Sequence, residues 1–178
     1  MSKSLLSLFS LLLLLFSACK DKGEDDFLTE SDIIGTWQIT EFDNAYQLSG
    51  TFAGEPVDDQ GESRISNSDL QMIFLDNGRW QSTGGFTLTV TTPEEQQISD
   101  RTGMGTGTWS FSQDTLFVSG LQHYNETGYF KDRQPLVLNG FKRDISLDLG
   151  TTVDVTESDE NYGIRIRTVS RYDISMER

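Results

Sequence analysis

"DIIGTWQITEF", residues 32–42, opens the folded part of this 178-residue chain, and its reading decides between two architectures. Ile33 to Phe42 reads as the first of nine or ten strands, because apolar and polar residues alternate in short runs separated by clusters of Gly, Asn, Asp and Ser. "FTLTVTT" (86–92) is the plainest run: Phe86, Leu88 and Val90 fall on one face and Thr87, Thr89 and Thr91 on the other, as in a half-buried antiparallel strand. Further strands are predicted over 70–75, 79–83, 105–112, 115–120, 135–138, 143–149, 151–156 and 164–176, and no stretch of helical length carries a 3.6-residue stripe. In "LDNGRW" (75–80), Asn77-Gly78 suits the positive φ angles of a type I′ hairpin, and Gln113-Asp114 fills the same place in "FSQDTLF". The polar intervals 50–67 and 93–102 are predicted as excursions from the sheet, the second with a short helix after Pro93. The fold class is therefore all-β and antiparallel, a barrel or a sandwich, and the first strand makes the choice.

Gly35-Thr36-Trp37 resembles the Gly-x-Trp signature at the start of lipocalin and lipocalin-like barrels. "MIFLDNGRW" (72–80) and "GTGTWSFSQDTLFV" (105–118) are similar to later hairpins of small bacterial members. The resemblance implies an up-and-down lipocalin-like barrel over 32–178, in which Gly35 permits close approach and Trp37 plugs the closed end. It also implies an arginine of the last strand lying across the Trp ring, a cation-π contact worth roughly 0.5–2 kcal/mol. "GIRIRTVSRYDISMER" (163–178) offers Arg165, Arg167 and Arg171; the residues leave the choice among them open, and Arg171 is named as the barrel-closing candidate. The alternative is a β-sandwich whose tryptophans are ordinary core anchors.

Ahead of the domain, "LLLLLFSACKDKGEDDF" (11–27) runs from leucine through the chain's one cysteine into charge. The apolar run 5–16 follows Lys3 and is about half of the ~20 residues a spanning helix needs, so it reads as the core of a cleaved secretory signal. Phe16-Ser17-Ala18-Cys19 resembles the lipobox of bacterial lipoproteins, which implies a signal peptide over 1–18, acyl chains (a palmitate among them) on Cys19, and an acidic tether over 19–31. Two or three acyl chains anchor firmly where one does not, at about 0.8 kcal/mol per buried methylene. Lys20 follows the cysteine in place of a retention aspartate, and Lys20 to Asp26 resembles a surface-export tag. Outer membrane, lipid-anchored and exposed at the cell surface, is the expected location.

The formal charge of −14 sits wholly in the part after residue 18 as far as acids are concerned, and such a surface repels nucleic acid. "GMGTGTW" (103–109) is no dinucleotide loop, because Thr108 stands where the third glycine belongs; alternate glycines suit a bend in a curling sheet. His123 is the single histidine and Cys19 is committed to lipid, so zinc and triad chemistry lack residues, and no catalytic site, metal or cofactor is expected. "HYNETGYF" (123–130) brings Tyr124, Tyr129 and Phe130 together in a loop, where they would either seal the rim or, with Trp80 and Phe86 lining the interior below, form a ligand mouth.

The expectation is a non-enzymatic envelope lipoprotein that binds a small apolar or amphipathic ligand inside a barrel. The second reading is an interaction module that binds an envelope protein or a glycan through its loops, and a hydrolase using His123 stands third. The leader yields the first test. Cys19→Ser should release the protein from membranes or block its processing while leaving the domain folded, as read by membrane partition and circular dichroism; unchanged partition would refute acylation.

Overall fold

The computed structural model describes residues 28–121 and 133–178. A four-residue helix, α1 (Glu30–Ile33), precedes eleven strands: β1 (Gly35–Phe52), β2 (Glu55–Ser66), β3 (Gln71–Phe74), β4 (Arg79–Thr83), β5 (Gly85–Thr91), β6 (Gln96–Thr102), β7 (Thr106–Ser112), β8 (Thr115–Val118), β9 (Gln134–Lys142), β10 (Ser146–Asp159) and β11 (Ile164–Glu177). β1 pairs with β3 at its start and with β2 beyond, and β4 and β5 carry on from one to the other past Gly84, as β6 and β7 do past Gly103. β2/β3, β4/β5 and β6/β7 are thus three bent staves, and the whole is an up-and-down meander of eight staves. β11 returns to pair with β1 from Gln38↔Glu177 to Thr51↔Arg165, which closes the sheet into an antiparallel barrel and excludes the sandwich.

Closure fixes which residues face in. The interior takes Trp37 and Ile39 from β1 and then, across a bulge that absorbs Thr40, Phe42, Asn44 and Tyr46. β11 contributes Thr168, Ser170, Tyr172, Ile174 and Met176, and β5 contributes Phe86 and Leu88, on the face its alternation predicted. The outward residues of the long strands, such as Thr152, Asp154, Arg167 and Arg171, are exposed and polar. That is the inverse of a lipid-spanning barrel, so the outer wall is built for water.

The wall is uneven in height. β7, β8 and β9 are low, whereas β10, β11, β1, β2, β5 and β6 rise past the core, and β2 and β6 are almost wholly exposed. These two strands occupy the intervals predicted as excursions, and Gln96–Thr102 is a strand where a helix was expected. β6 meets water on both faces, and the inward positions of β2 are mostly small or polar, with Gly61 and Ser63 ahead of Ile65, so no hydrophobic alternation marks either strand. The Asn77-Gly78 turn also differs from expectation: only Gly78 has positive φ, Gly78 N–H donates to Leu75 O at 3.2 Å, and Leu75 N–H donates to Arg79 O at 2.8 Å. That is a type I turn with a glycine bulge, and the true double-positive turn is Ala53-Gly54 between β1 and β2. Leu28, the first described residue, is already buried in the core.

Burial pushes the Tyr172 phenol up to about 12. A phenol whose folded value exceeds its unfolded one stabilises the fold below pH ~10 and loses that contribution as pH rises through its folded value, an effect of roughly 2–3 kcal/mol. Unfolding free energy should therefore fall between about pH 10 and 12, and Tyr172→Phe should flatten that slope in denaturant titrations; an unaltered slope would show that other groups carry it.

Candidate functional site

The two ends of the barrel are chemically different. The closed end holds α1, the turns after β3, β7 and β9, and the C-terminus; the open end holds the turns after β1, β5 and β10 and the connection from β8 to β9. At the closed end Trp37 is fully buried and its Nε1 donates to Ile33 O at 2.8 Å. Over its ring lies Arg178, with Cζ 4.4 Å from the centroid. The Arg178 fork donates to Asp32 O (2.8 Å), Ile34 O (2.7 Å) and Asp144 Oδ1 (2.8 Å). Gly35 makes the approach feasible, because its φ is +133° and a Cβ there would lie 3.3 Å from Arg178 Nη2. Asp32 accepts from Thr29 Oγ1, whose hydrogen bond holds the carboxyl below its usual range, with Arg143 and Arg178 adding to the pull.

Arg171 therefore does not take the closing role. It lies on the outer face of β11, mostly exposed, and pairs with Asp173 at 3.1 Å. Arg165 and Arg167 point outward as well, Arg167 meeting Asp154 at 2.7 Å. The parity of the strand carried the answer: Thr168, Ser170, Tyr172, Ile174 and Met176 face in, so an arginine at an odd position faces out and Arg178 continues the inward set.

Trp80 and Phe86 face the interior but are only 1% and 4% exposed, and Trp80 Nε1 donates to Ser119 O at 2.7 Å. Neither ring presents surface to a guest. With Phe74, Leu116, Leu136 and Leu147, also below 2% exposed, they form a packed floor. Above the floor the interior is mixed: Asn44, Ser63, Gln134, Thr151, Thr168 and Ser170 are buried beside Tyr46 and Val153. Gln134 Nε2 donates to Thr151 Oγ1 at 2.8 Å, while Ser170 Oγ finds no hydrogen-bond partner among the described residues. Tyr124, Tyr129, Phe130, His123 and Cys19 lie outside the described residues.

At the open-end lip, Phe52 and Tyr162 are 54% and 71% exposed. The tips that carry them are neighbours, since a Cβ on Gly163 would lie 3.6 Å from Ala53 Cα. Sequence reading missed this pair because neither residue sits in an alternating run. Among the described residues, no group of three His, Cys, Asp or Glu could hold a metal ion, and no helix is long and apolar enough to cross a membrane.

No protein-family model matches the chain, and no curated protein matches it.

The closed-end contacts predict a sharp asymmetry between arginines. Arg178→Ala should lower the unfolding free energy by about 2–4 kcal/mol through the lost stacking and charged hydrogen bonds, whereas Arg171→Ala, which removes one exposed pair, should cost less than about 1 kcal/mol. Equal losses in chemical denaturation would contradict the assigned closure.

Proposed function

We propose that the chain is a lipid-anchored lipoprotein of the bacterial outer membrane, displayed at the cell surface, whose lipocalin-like barrel is a non-enzymatic module that binds an envelope protein or glycan at its open end. The observation that carries this reading is the contrast between the ends: the floor is filled by its own side chains, while the tall wall ends in a lip that exposes Phe52 and Tyr162. Exposed aromatic side chains on rigid tips are the residue type that anchors interfaces, and contact area there comes at low conformational cost. The lipobox and the polar outer wall support a barrel that stands in water and reaches the membrane only through acylated Cys19.

A small amphipathic ligand in the upper interior is the second reading. The buried polar groups above an apolar floor support it. Native mass spectrometry after mild extraction separates the two, because a consistently empty barrel removes the ligand.

The leading reading is tested by cross-linking the full chain in outer-membrane extract. Phe52→Ala with Tyr162→Ala should reduce partner recovery by roughly ten-fold or more, as for paired hot spots, while Ile145→Ala at the exposed closed-end turn should leave it unchanged. Equal recovery with all variants would reject the open end as the binding surface.

A further inference from the structure

The barrel wall is split at one place near its open end. β2 and β5 pair from Ser66↔Thr87 to Glu62↔Thr91, and the same register would next set Gly61 against Thr92 and Gln60 against Pro93. Pro93 has no N–H to continue the ladder, and Thr92 N–H already donates to Glu95 O at 2.9 Å as the chain turns toward β6. β2 runs on to Glu55 paired with β1 alone. The gap that results is a cleft of about 480 Å³ lined by Tyr46, Gln60, Glu62, Thr91, Thr92 and Pro93. That size falls within the roughly 300–1,000 Å³ of small-molecule sites.

Its lining comes from both faces of the sheet. Ala45, Glu62 and Thr91 stand in register on the outer face, and Tyr46 and Gly61 on the inner. The Tyr46 ring lies directly against Gly61, where an added Cβ would come 2.6 Å from the ring, so glycine is what seats the aromatic there. Burial, with the Asp59 carboxylate adding to it, raises the Tyr46 phenol and keeps it protonated. Among the described residues no hydrogen bond engages the Tyr46 hydroxyl or the Gln60 side-chain amide, and Glu62 lies 3.8 Å from Arg64.

We propose that this cleft binds the end of a neutral glycan. The inference rests on the envelope-binding reading and names the chemical class and the place. Tyr46 is only 7% exposed, so it offers its hydroxyl rather than its ring face, and Pro93 supplies the apolar surface for the C–H face of a sugar ring, beside groups that donate and accept. The Gln60 amide and the Tyr46 phenol each do both, so a hydroxyl-rich ligand satisfies them together, whereas a cation would leave the amide donors unmatched. An anion meets Glu62 and Asp59 on a chain of net charge −14. An extended peptide added to the open edge of β2 would meet Pro56, which has no N–H, and Gln60, whose N–H already donates to Asp59 Oδ1 at 2.8 Å.

The test uses the full chain in detergent micelles, with chitobiose, maltose and cellobiose as probes followed by saturation-transfer NMR. At least one should bind saturably, with a Kd on the order of 1 mM. Gln60→Ala and Tyr46→Phe should each weaken it by roughly three- to ten-fold, the loss expected for one neutral hydrogen bond, with circular dichroism unchanged. Gly61→Val, which displaces the ring, should abolish it. No saturable binding of any probe, or binding unaltered by Gln60→Ala and Tyr46→Phe, overturns the proposal. In that event a partner still lost from the Phe52→Ala, Tyr162→Ala variant would leave the open-end reading standing.

Discussion

Pairing between the first and last strands is the constraint on which this molecule depends. Until β11 lies along β1 the sheet has two long unpaired edges and no inside; once it does, every inward residue acquires neighbours around a closed wall. The contact joins residues well over a hundred positions apart, so it carries a large loop-closure cost. That cost is met where the chain ends meet. Trp37 sits just inside the start of β1, Arg178 just past the end of β11, and the Arg178 fork binds the backbone of Asp32 and Ile34 while its plane covers the indole. Closure and plugging are thus one event.

The same closure explains why the upper interior is mixed. A barrel floor filled by Trp37, Phe74, Trp80 and Leu147 needs only the lower half of the strands to bury it. Beyond that level polar residues enter the inward set, Asn44, Ser170 and Thr168 alternating with Tyr46 and Val153. Height in excess of what stability requires is where recognition can be placed without cost to the core. Among the described residues the strands β7 to β9 are the short side of the wall, so the excess height lies with β10, β11, β1 and β2.

What could be read from the sequence follows the same division. Strands that border the core carry the alternation that burial imposes, which is why Phe86, Leu88 and Val90 announced β5 and why the all-β class was legible, while the choice of barrel over sandwich came from the Gly35-Thr36-Trp37 resemblance. β2 and β6 were not legible, because β6 has water on both faces and the inward positions of β2 are mostly small or polar, so "EPVDDQGESRIS" reads as loop. The closing arginine was half legible: a stacking arginine was expected, and the alternation of β11 excluded Arg165, Arg167 and Arg171 by parity, but Arg178 lies outside the strand proper. The Tyr46 and Gly61 pairing could not be found from sequence at all, since it depends on a register set by the Ala53-Gly54 turn rather than by either residue's own neighbours.

Geometry also relates the anchor to the lip. Leu28 joins the core next to α1 at the closed end, so it lies at the pole opposite Phe52 and Tyr162. Between Cys19 and Leu28 the chain can span at most about 30 Å, at roughly 3.3–3.6 Å per residue. With Cys19 acylated as proposed, the closed end is held near the bilayer and the lip is turned away from it. On that proposal the asymmetry of the ends would become an orientation, with the packed, arginine-locked end toward the lipid and the aromatic-tipped end turned outward.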